Sequence, residues 1–340
     1  MSLRYIGSKT RVIKELAKYI GEPSSDDGRF VDAFCGTGVV SQQAAEMGWP
    51  IWINDHLLSA VTISSARVIS KKTINFNKIG GYEIAIEYLN NLPTRKGFIW
   101  KEYSPASINF SGIERKYFSE ENAGLIDAIR HQIFVWEAEN YISQIEKTLL
   151  IADLLSATNS VANIAGTYGC FLSKWSNQAF QRLRLIPREL FLKPVRVQTS
   201  CDDVNNLLTN SNDLVYLDPP YTKRQYASYY HILETITLGD NPIVEGVSGL
   251  RPWKEKASDF CYKKRALPAL KKLISQMDAK RILLSYSNAG HIQLNDLTAE
   301  LKSIGIVNKY ELMDIGQYRP NKTASNNHSS VKEFLISVEK

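Results

Sequence analysis

The segment between Gly28 and Asp55 constrains the fold more than any other part of the sequence. An apolar run at residues 30–34 leads into a turn that contains Gly36 and Gly38. A stretch of helical character follows to about Gly48, and residues 51–53 form a second apolar run. Strand, glycine turn, helix and strand in this order are typical of a parallel β-α-β unit. The sequence therefore predicts an α/β fold with a mostly parallel, doubly wound sheet.

The other strand candidates follow much later in the chain. Residues 195–201 alternate apolar and polar side chains, residues 214–217 are apolar and run into Asp218-Pro219-Pro220-Tyr221, and residues 282–285 form a third run. Residues 310–315 and 331–338 are typical of two antiparallel strands. We therefore expect a sheet that is mostly parallel and ends in an antiparallel hairpin.

The distance between the two halves of this pattern indicates an insertion. Asp218 lies 182 residues after Gly36. Direct β-α-β succession needs on the order of 70 residues, so about 110 are inserted. In this region Ile142, Leu149 and Ala152 are spaced for one face of a helix. We predict one domain that holds the sheet, formed by residues 1–55 and 195–340, and a mainly helical inserted domain at residues 56–194.

Composition excludes several classes of protein. Hydrophobic residues make up 44% of the 340 residues and charged residues 22%, which argues against disorder, collagen-like repeats and coiled coil. No apolar run reaches the ~18 residues of a membrane span, and the N-terminal sequence lacks the apolar core of a signal peptide. The four cysteines form no C-x-x-C pair, so we expect no metal site. We expect a cytoplasmic protein that binds no membrane.

Positive charge is concentrated in one stretch. The chain carries a net charge of +6, and residues 222–272 hold ten basic against five acidic side chains. Such a stretch can follow a phosphate backbone, although charge runs are more often a solvated face.

The glycine turn and two acidic residues predict a nucleoside site. A third glycine at position 41 would complete the dinucleotide fingerprint, but Ser41 stands there, which disfavours NAD. Asp55 follows the second strand, where an acidic residue accepts hydrogen bonds from ribose hydroxyls. Asp218 follows a very apolar strand, and the two prolines after it leave carbonyl groups free to accept from a ligand.

Four motifs in order carry a resemblance to a known family. R-Y-I-G-S-K at residues 4–9, F-C-G-T-G at 34–38, N-D at 54–55 and D-P-P-Y at 218–221 resemble the Dam-like, alpha-group adenine-specific DNA methyltransferases, which use S-adenosylmethionine. G-T-Y-G-C-F-L at 166–172, R-Q-Y-A-S-Y-Y-H-I-L-E-T-I at 224–236, L-S-Y-S-N at 284–288 and V-K-E-F-L-I at 331–336 are similar to a subgroup that includes enzymes of restriction-modification systems.

The resemblance implies a Rossmann-like methyltransferase sheet, an inserted target-recognition domain and a set of cofactor-binding residues. That set comprises Tyr5, Lys9, Asp32, Phe34, Gly36, Gly38, Asp55, Asp203 and Asp218. Asp203 would lie near the adenine ring of the cofactor, with Asp202 as the alternative. The implied partner is double-stranded DNA, with a cognate restriction endonuclease that acts separately, and the implied oligomeric state is a monomer or weak dimer.

The catalytic prediction rests on Asp218, Pro219, Pro220 and Tyr221. The lone pair of the adenine amino group is delocalised into the ring. Hydrogen-bond acceptors for both amino hydrogens localise this lone pair on the nitrogen and direct it toward the methyl group of the cofactor. The Asp218 carboxylate and the Pro219 carbonyl supply these acceptors, so catalysis works by positioning and charge complementarity, without a metal or a covalent intermediate. The target base must leave the duplex, and Tyr221 offers a ring for stacking.

Two groups of residues are predicted to contact DNA. Side chains beside the motif would face phosphates, namely Lys223, Arg224, Lys263, Lys264 and Arg265. Side chains of the insertion that offer base or phosphate contacts include Lys174, Gln178 and Arg182, with Asn177, Gln181 and Arg184 beside them.

Two alternatives stay open on the residues alone. Related N-P-P-Y motifs occur in methyltransferases that act on cytosine amino groups, on RNA adenine or on protein glutamine. An Asp rather than a Ser as the first residue of the motif favours adenine over cytosine. A catalytically inactive DNA-binding protein on the same fold would lack the intact set of Gly36, Asp55, Asp218 and Tyr221.

Overall fold

The computed structural model describes residues 5–23, 27–314 and 331–340. Arg4 of the N-terminal motif and Ile315 at the end of one predicted strand lie outside the described residues. Within them, the backbone forms one seven-stranded sheet with helices on both faces.

The strands follow the predicted order closely. They are β1 (Phe30–Asp32), β2 (Ile51–Asn54), β3 (Val197–Ser200), β4 (Leu214–Leu217), β5 (Arg281–Ser287), β6 (Ile306–Asp314) and β7 (Lys332–Glu339). The spatial order is β3-β2-β1-β4-β5-β7-β6. The first five are parallel, and β7 runs antiparallel to both β5 and β6. The mostly parallel sheet with an antiparallel closing pair is confirmed.

Twelve α-helices lie within the described residues. They are α1 (Ile13–Ile20), α2 (Val39–Glu46), α3 (Leu58–Ala66), α4 (Tyr82–Asn90), α5 (Phe98–Tyr103), α6 (Ile108–Ser111), α7 (Glu120–Ala138), α8 (Gln144–Val161), α9 (Tyr226–Tyr229), α10 (His231–Leu238), α11 (Lys263–Gln276) and α12 (Leu294–Leu301). None of them is both long and apolar enough to cross a membrane.

The period-2 alternation of the central strands divides the core into two layers. Val31, Val215 and Ile282 point to one face, where they pack in one apolar cluster with α11 and α12. Phe30 and Leu214 point to the other face, in a cluster that continues through α2 and α3 into α7 and α8. Burial on both faces is why these strands are apolar throughout.

Helix α3 joins the sheet to the inserted region. All of its residues but Leu58 and Ser65 are buried, and its first turn is capped from α10, because Glu234 accepts from the backbone N–H of Leu58 at 3.1 Å and of Ser59 at 2.9 Å. The helical character predicted for residues 56–194 is present, with α7 and α8 as the longest helices. The exact domain limits stay a prediction.

The order of the strands creates one functional edge. The chain leaves β1 toward β2 and β3 on one side and returns with β4 on the other side of β1. In open parallel sheets, ligands bind beyond the carboxyl ends of the strands at such a reversal. The amino end of the antiparallel strand β7 reaches this same edge.

Candidate active site

A cavity of about 220 Å³ lies at the carboxyl edge of the sheet, next to β1 and β4. Its lining includes every residue of the predicted cofactor set except Gly38, namely Tyr5, Lys9, Asp32, Phe34, Gly36, Asp55, Asp203 and Asp218. Of the predicted catalytic motif, Asp218 and Pro220 line the cavity. The strand topology thus collects residues that are up to about 210 positions apart in the sequence.

The turn after β1 needs its two glycines for different reasons. Gly36 (φ 49°) lies in the cavity wall, where a Cβ would stand 3.3 Å from the Tyr5 ring. Gly38 (φ 73°) precedes α2, and a Cβ there would stand 2.4 Å from Ser64 Oγ of α3. Gly38 therefore allows α2 and α3 to approach closely and lies outside the cavity lining.

Asp55 connects the end of β2 to the glycine turn. Its carboxylate accepts from the backbone N–H of Gly36 at 3.1 Å and of Leu57 at 3.0 Å. Burial raises the pKa of Asp55 to about 6, and these two N–H donors limit the rise because they favour the charged form. An ionised Asp55 has further lone pairs that can accept from a ligand.

Asp32 is fully buried at the end of β1, with one oxygen satisfied and one free. Its Oδ2 accepts from Ser41 Oγ at 2.5 Å, while no hydrogen bond from residues 5–23, 27–314 or 331–340 reaches Oδ1. Burial raises the pKa of Asp32 to about 7. Ser41, the residue that breaks the dinucleotide fingerprint, is the partner of this acid. A buried acceptor without a partner in a cavity wall indicates a ligand that carries a donor.

Lys9 joins two carboxylates in the floor of the cavity. Its Nζ lies 2.8 Å from Asp218 Oδ1 and 2.8 Å from Glu333 Oε1, and its side chain is 5% exposed. Burial alone lowers the pKa of Lys9, but Asp218 and Glu333 more than offset that effect and raise it well above the ordinary value. Burial raises the pKa of Asp218, and Lys9 opposes that rise. Lys9 is therefore positively charged.

The catalytic motif is held by its neighbours. The backbone carbonyl of Tyr221 accepts from His291 N–H at 2.8 Å, and the Tyr221 ring packs edge-on against Tyr286 at 5.7 Å. Lys9 Nζ lies 5.9 Å from the centre of the Tyr221 ring. Among the described residues, no hydrogen bond reaches the Pro219 carbonyl. This carbonyl is available to a ligand.

Aromatic side chains fix the N-terminal segment over the cavity. The Tyr5 ring stacks on Tyr230 at 4.1 Å, and Tyr230 Oη accepts from Ile6 N–H at 2.7 Å. Tyr226 Oη donates to the Ile6 carbonyl at 3.3 Å and lines the cavity. Tyr226 of α9 and Tyr230 just after it thus hold Tyr5 and Ile6 in place.

Sequence reasoning missed several residues of the site. Glu333 of β7 is buried and completes the pairing of Lys9. Lys256 and Phe260 also line the cavity. Phe260 packs edge-on against Phe34 at 5.5 Å, and Lys256 donates to the His56 carbonyl at 2.9 Å. For Glu333, the available signal was its position in V-K-E-F-L-I, where Lys332 and Glu333 are the charged residues of a predicted strand.

Five of the predicted DNA-binding residues lie in two segments whose neighbours, Gln225 and Phe260, line the cavity. We call Lys223, Arg224, Lys263, Lys264 and Arg265 the basic rim; all five are exposed. The two parts of the rim are joined because Gln225 exchanges two hydrogen bonds with the Ser258 backbone and Cys261 Sγ lies 3.2 Å from the Arg224 carbonyl. Ser258 itself lines the cavity.

The other predicted DNA contacts lie on the inserted region, away from the cavity lining. Lys174 and Arg182 are exposed, and Arg182 forms an ion pair with Glu121 at 3.0 Å. Gln178 donates from its amide to the Ala162 carbonyl at 3.2 Å, which uses part of its hydrogen-bonding capacity.

Comparison with known proteins gives matches over nearly the whole chain. A family model described as D12 class N6 adenine-specific DNA methyltransferase matches residues 5–299. The chain is 33% identical to the type II methyltransferase M.FokI of Planomicrobium okeanokoites and 32% identical to the modification methylase StsI of Streptococcus sanguinis, over 99% and 98% of its own length. It is also 33% identical to the type II methyltransferase M.NlaIII of Neisseria lactamica over 99% of both chains. The chain spans 53% of M.FokI and 50% of StsI.

Proposed function

Because the chain belongs to the D12 class N6 adenine-specific DNA methyltransferases, we propose that it transfers a methyl group from S-adenosylmethionine to the N6 amino group of an adenine in duplex DNA. One observation carries the proposal: Asp218 of D-P-P-Y shares a cavity with the glycine turn, Asp32 and Asp55 at the reversal of the parallel sheet. In this arrangement a methyl donor and a base can meet at Asp218.

The residues of the cavity fit the proposed cofactor. S-adenosylmethionine, when bound, supplies a methyl group on a positively charged sulfur. Asp55 accepts from ribose hydroxyls, and the unpartnered Oδ1 of Asp32 accepts from a donor of the cofactor. Asp203 and Asp202 both line the cavity. The Asp203 carboxylate also accepts from the backbone N–H of Asn205 at 2.8 Å. Asp203 contacts the cofactor adenine in this proposal, with Asp202 as the alternative.

The D-P-P-Y motif acts on the target base. Asp218 and the Pro219 carbonyl accept the two amino hydrogens, which turns the nitrogen lone pair toward the methyl group. Lys9 keeps Asp218 ionised, so that it is an acceptor for the amino group and, with water, for the proton that the methylated amine loses. Tyr221 stacks on the base after it has left the duplex.

The basic rim and the inserted region have different roles in DNA binding. The basic rim contacts phosphates next to the flipped adenine, because its two segments adjoin residues that line the cavity. Residues 56–194 form the target-recognition domain, in which Lys174, Gln178 and Arg182 face the DNA and Arg and Gln read base edges.

We further propose that the protein is the modification enzyme of a restriction-modification system. The names of M.FokI, StsI and M.NlaIII support this role. The cognate endonuclease acts as a separate protein, and the methyltransferase works in the cytoplasm as a monomer or weak dimer.

The proposal is tested by following the methyl group. Purified protein is incubated with tritiated S-adenosylmethionine and DNA of mixed sequence, and genomic DNA from expressing cells is sequenced with a readout for methyladenine in context. Methyladenine in one short motif is the expected result. Methylcytosine would contradict the target base, methylation without sequence preference would contradict the recognition domain, and folded protein that binds DNA without transfer would contradict the activity.

A further inference from the structure

Glu333 is a buried acidic residue that contacts Lys9 of the cavity lining, and the proposed chemistry does not use it. It lies at the amino end of β7, where it is 1% exposed. Its Oε1 accepts from Lys9 Nζ at 2.8 Å and from Ser285 Oγ at 2.8 Å. Ser285 belongs to the neighbouring strand β5 and is fully buried. Both contacts bring a hydrogen-bond donor to the same oxygen of Glu333.

The three charged groups form a cluster with an unbalanced charge. Lys9 contributes +1, while Asp218 and Glu333 contribute −1 each, so the cluster carries −1 when all three are ionised. A pair of Lys9 and Asp218 alone would be neutral. In a buried site such a difference of one charge acts strongly on a charged ligand nearby.

We propose that Glu333 sets the charge of the site, so that the site binds the sulfonium form of the cofactor in preference to the neutral thioether that remains after methyl transfer. This inference rests on the proposed function. Transfer removes the positive charge from the sulfur, and the excess carboxylate then no longer attracts it. Glu333 thus favours binding of the methyl donor and release of the product, and acts through Lys9 and Asp218 as a positioning residue.

The experiment compares two ligands that differ by the methyl group and its charge. Dissociation constants of S-adenosylmethionine and S-adenosylhomocysteine are measured by calorimetry at pH 8, for wild type and Glu333→Gln. We expect Glu333→Gln to shift the ratio of the two affinities toward the thioether by about 5- to 10-fold. Glu339→Gln, which removes the same charge at the exposed far end of β7, is the matched control and leaves the ratio unchanged.

A charge series separates this role from a structural one. Asp218→Asn removes the other carboxylate of the cluster and leaves Lys9 and Glu333 as a neutral pair, so we expect the ratio to shift toward the thioether as in Glu333→Gln. This variant also tests the effect of the cluster's charge if Glu333→Gln alone does not fold. Glu333→Asp keeps the charge and restores the ratio.

The outcomes separate the two proposals. An equal loss of affinity for both ligands in Glu333→Gln, or a wild-type ratio of affinities in Asp218→Asn, would overturn the role of Glu333. Wild-type protein that binds neither ligand would instead contradict the proposed function.

Discussion

The charged groups of the cavity and those of the basic rim form ion pairs of similar length in opposite surroundings. In the cavity, Lys9 and Asp218 are 2.8 Å apart, and their side chains are 5% and 17% exposed. At the rim, Arg265 and Asp259 are 3.1 Å apart, and their side chains are 67% and 58% exposed. Distance alone therefore does not distinguish them. Burial does, because water competes for the second pair and is largely excluded from the first.

This difference determines how each region can act. Removing one partner of a buried pair leaves an uncompensated charge, which costs about 3–5 kcal/mol, so the geometry of the cavity is strongly held. An exposed pair contributes about 0–1 kcal/mol, so Arg265 can leave Asp259 for a phosphate at little cost. The cavity suits chemistry that needs fixed acceptors, and the rim suits a flexible polyanion.

The largest expected effect tests whether the fixed acceptors carry the chemistry. Asp218→Ala removes one acceptor of the adenine amino group and should lower kcat by about 10³-fold or more. Lys9 keeps Glu333 as its partner, so we expect the variant to fold. Methyl transfer and thermal melting are measured side by side, with DNA binding as the control. Wild-type turnover would end the assignment of Asp218 to catalysis.

Asp32 tests the energetic cost of the buried cavity. Its pKa is raised from 3.8 to about 7, so the folded state favours the protonated form, and this contribution to stability is lost as the pH rises from about 4 to 7. Asp32→Asn is neutral at every pH and keeps an oxygen for Ser41. We therefore expect the variant to be more stable than wild type by up to about 4 kcal/mol at pH 8, with little difference near pH 4.

Urea unfolding at pH 4.5 and pH 8 measures this difference, and cofactor affinity is measured alongside because Asp32 Oδ1 is proposed to bind the cofactor. A stability difference that is the same at both pH values would show that Asp32 is not protonated in the folded protein.

Replacing the cations of the basic rim should lower the affinity for DNA and raise the stability of the protein. Lys263, Lys264 and Arg265 occupy the first turn of α11, where the helix dipole disfavours cations. Replacing all three by Gln should weaken DNA binding by about 10- to 100-fold at moderate salt and reduce the salt slope by about 3. The variant should also unfold at a higher temperature, since each cation costs about 0.3–1 kcal/mol there.

The matched control is the double replacement of Lys271 and Lys272 by Gln on the same helix, where Lys271 pairs with Glu300 at 2.6 Å. It should leave the salt slope near the wild-type value. If both variants lower the slope equally, the rim has no special position on the DNA.

The smallest effect concerns base recognition by the inserted region. Arg182→Ala should reduce discrimination between the preferred site and single-base variants by about 5- to 10-fold, which corresponds to about 1 kcal/mol. Glu121→Gln releases Arg182 from its exposed ion pair and serves as the control. Initial rates on the two DNA duplexes measure the ratio. A uniform loss on both would identify Arg182 as a phosphate contact instead.

The sequence alone determined the part of the site that follows from local pattern. Apolar runs and the glycine turn identified β1, β2 and β4, and Asp55 and Asp218 followed directly from the ends of those strands. Parallel strands place their carboxyl ends at one edge, so these acids were expected to share a site. The reasons for Gly38 and Ser41 were not readable, because each depends on a residue elsewhere in the fold, Ser64 in one case and Asp32 in the other.

Only the tertiary structure decided which distant groups meet. The sequence predicted residues 331–338 as one strand of a closing antiparallel pair, but the position of β7 between β5 and β6 is what brings Glu333 to Lys9. The two halves of the basic rim are likewise joined by contacts between segments, of Gln225 with Ser258 and of Cys261 with Arg224. The physical reason is that side-chain periodicity encodes the face a residue occupies, whereas strand pairing and burial of charge depend on contacts between segments far apart in the chain.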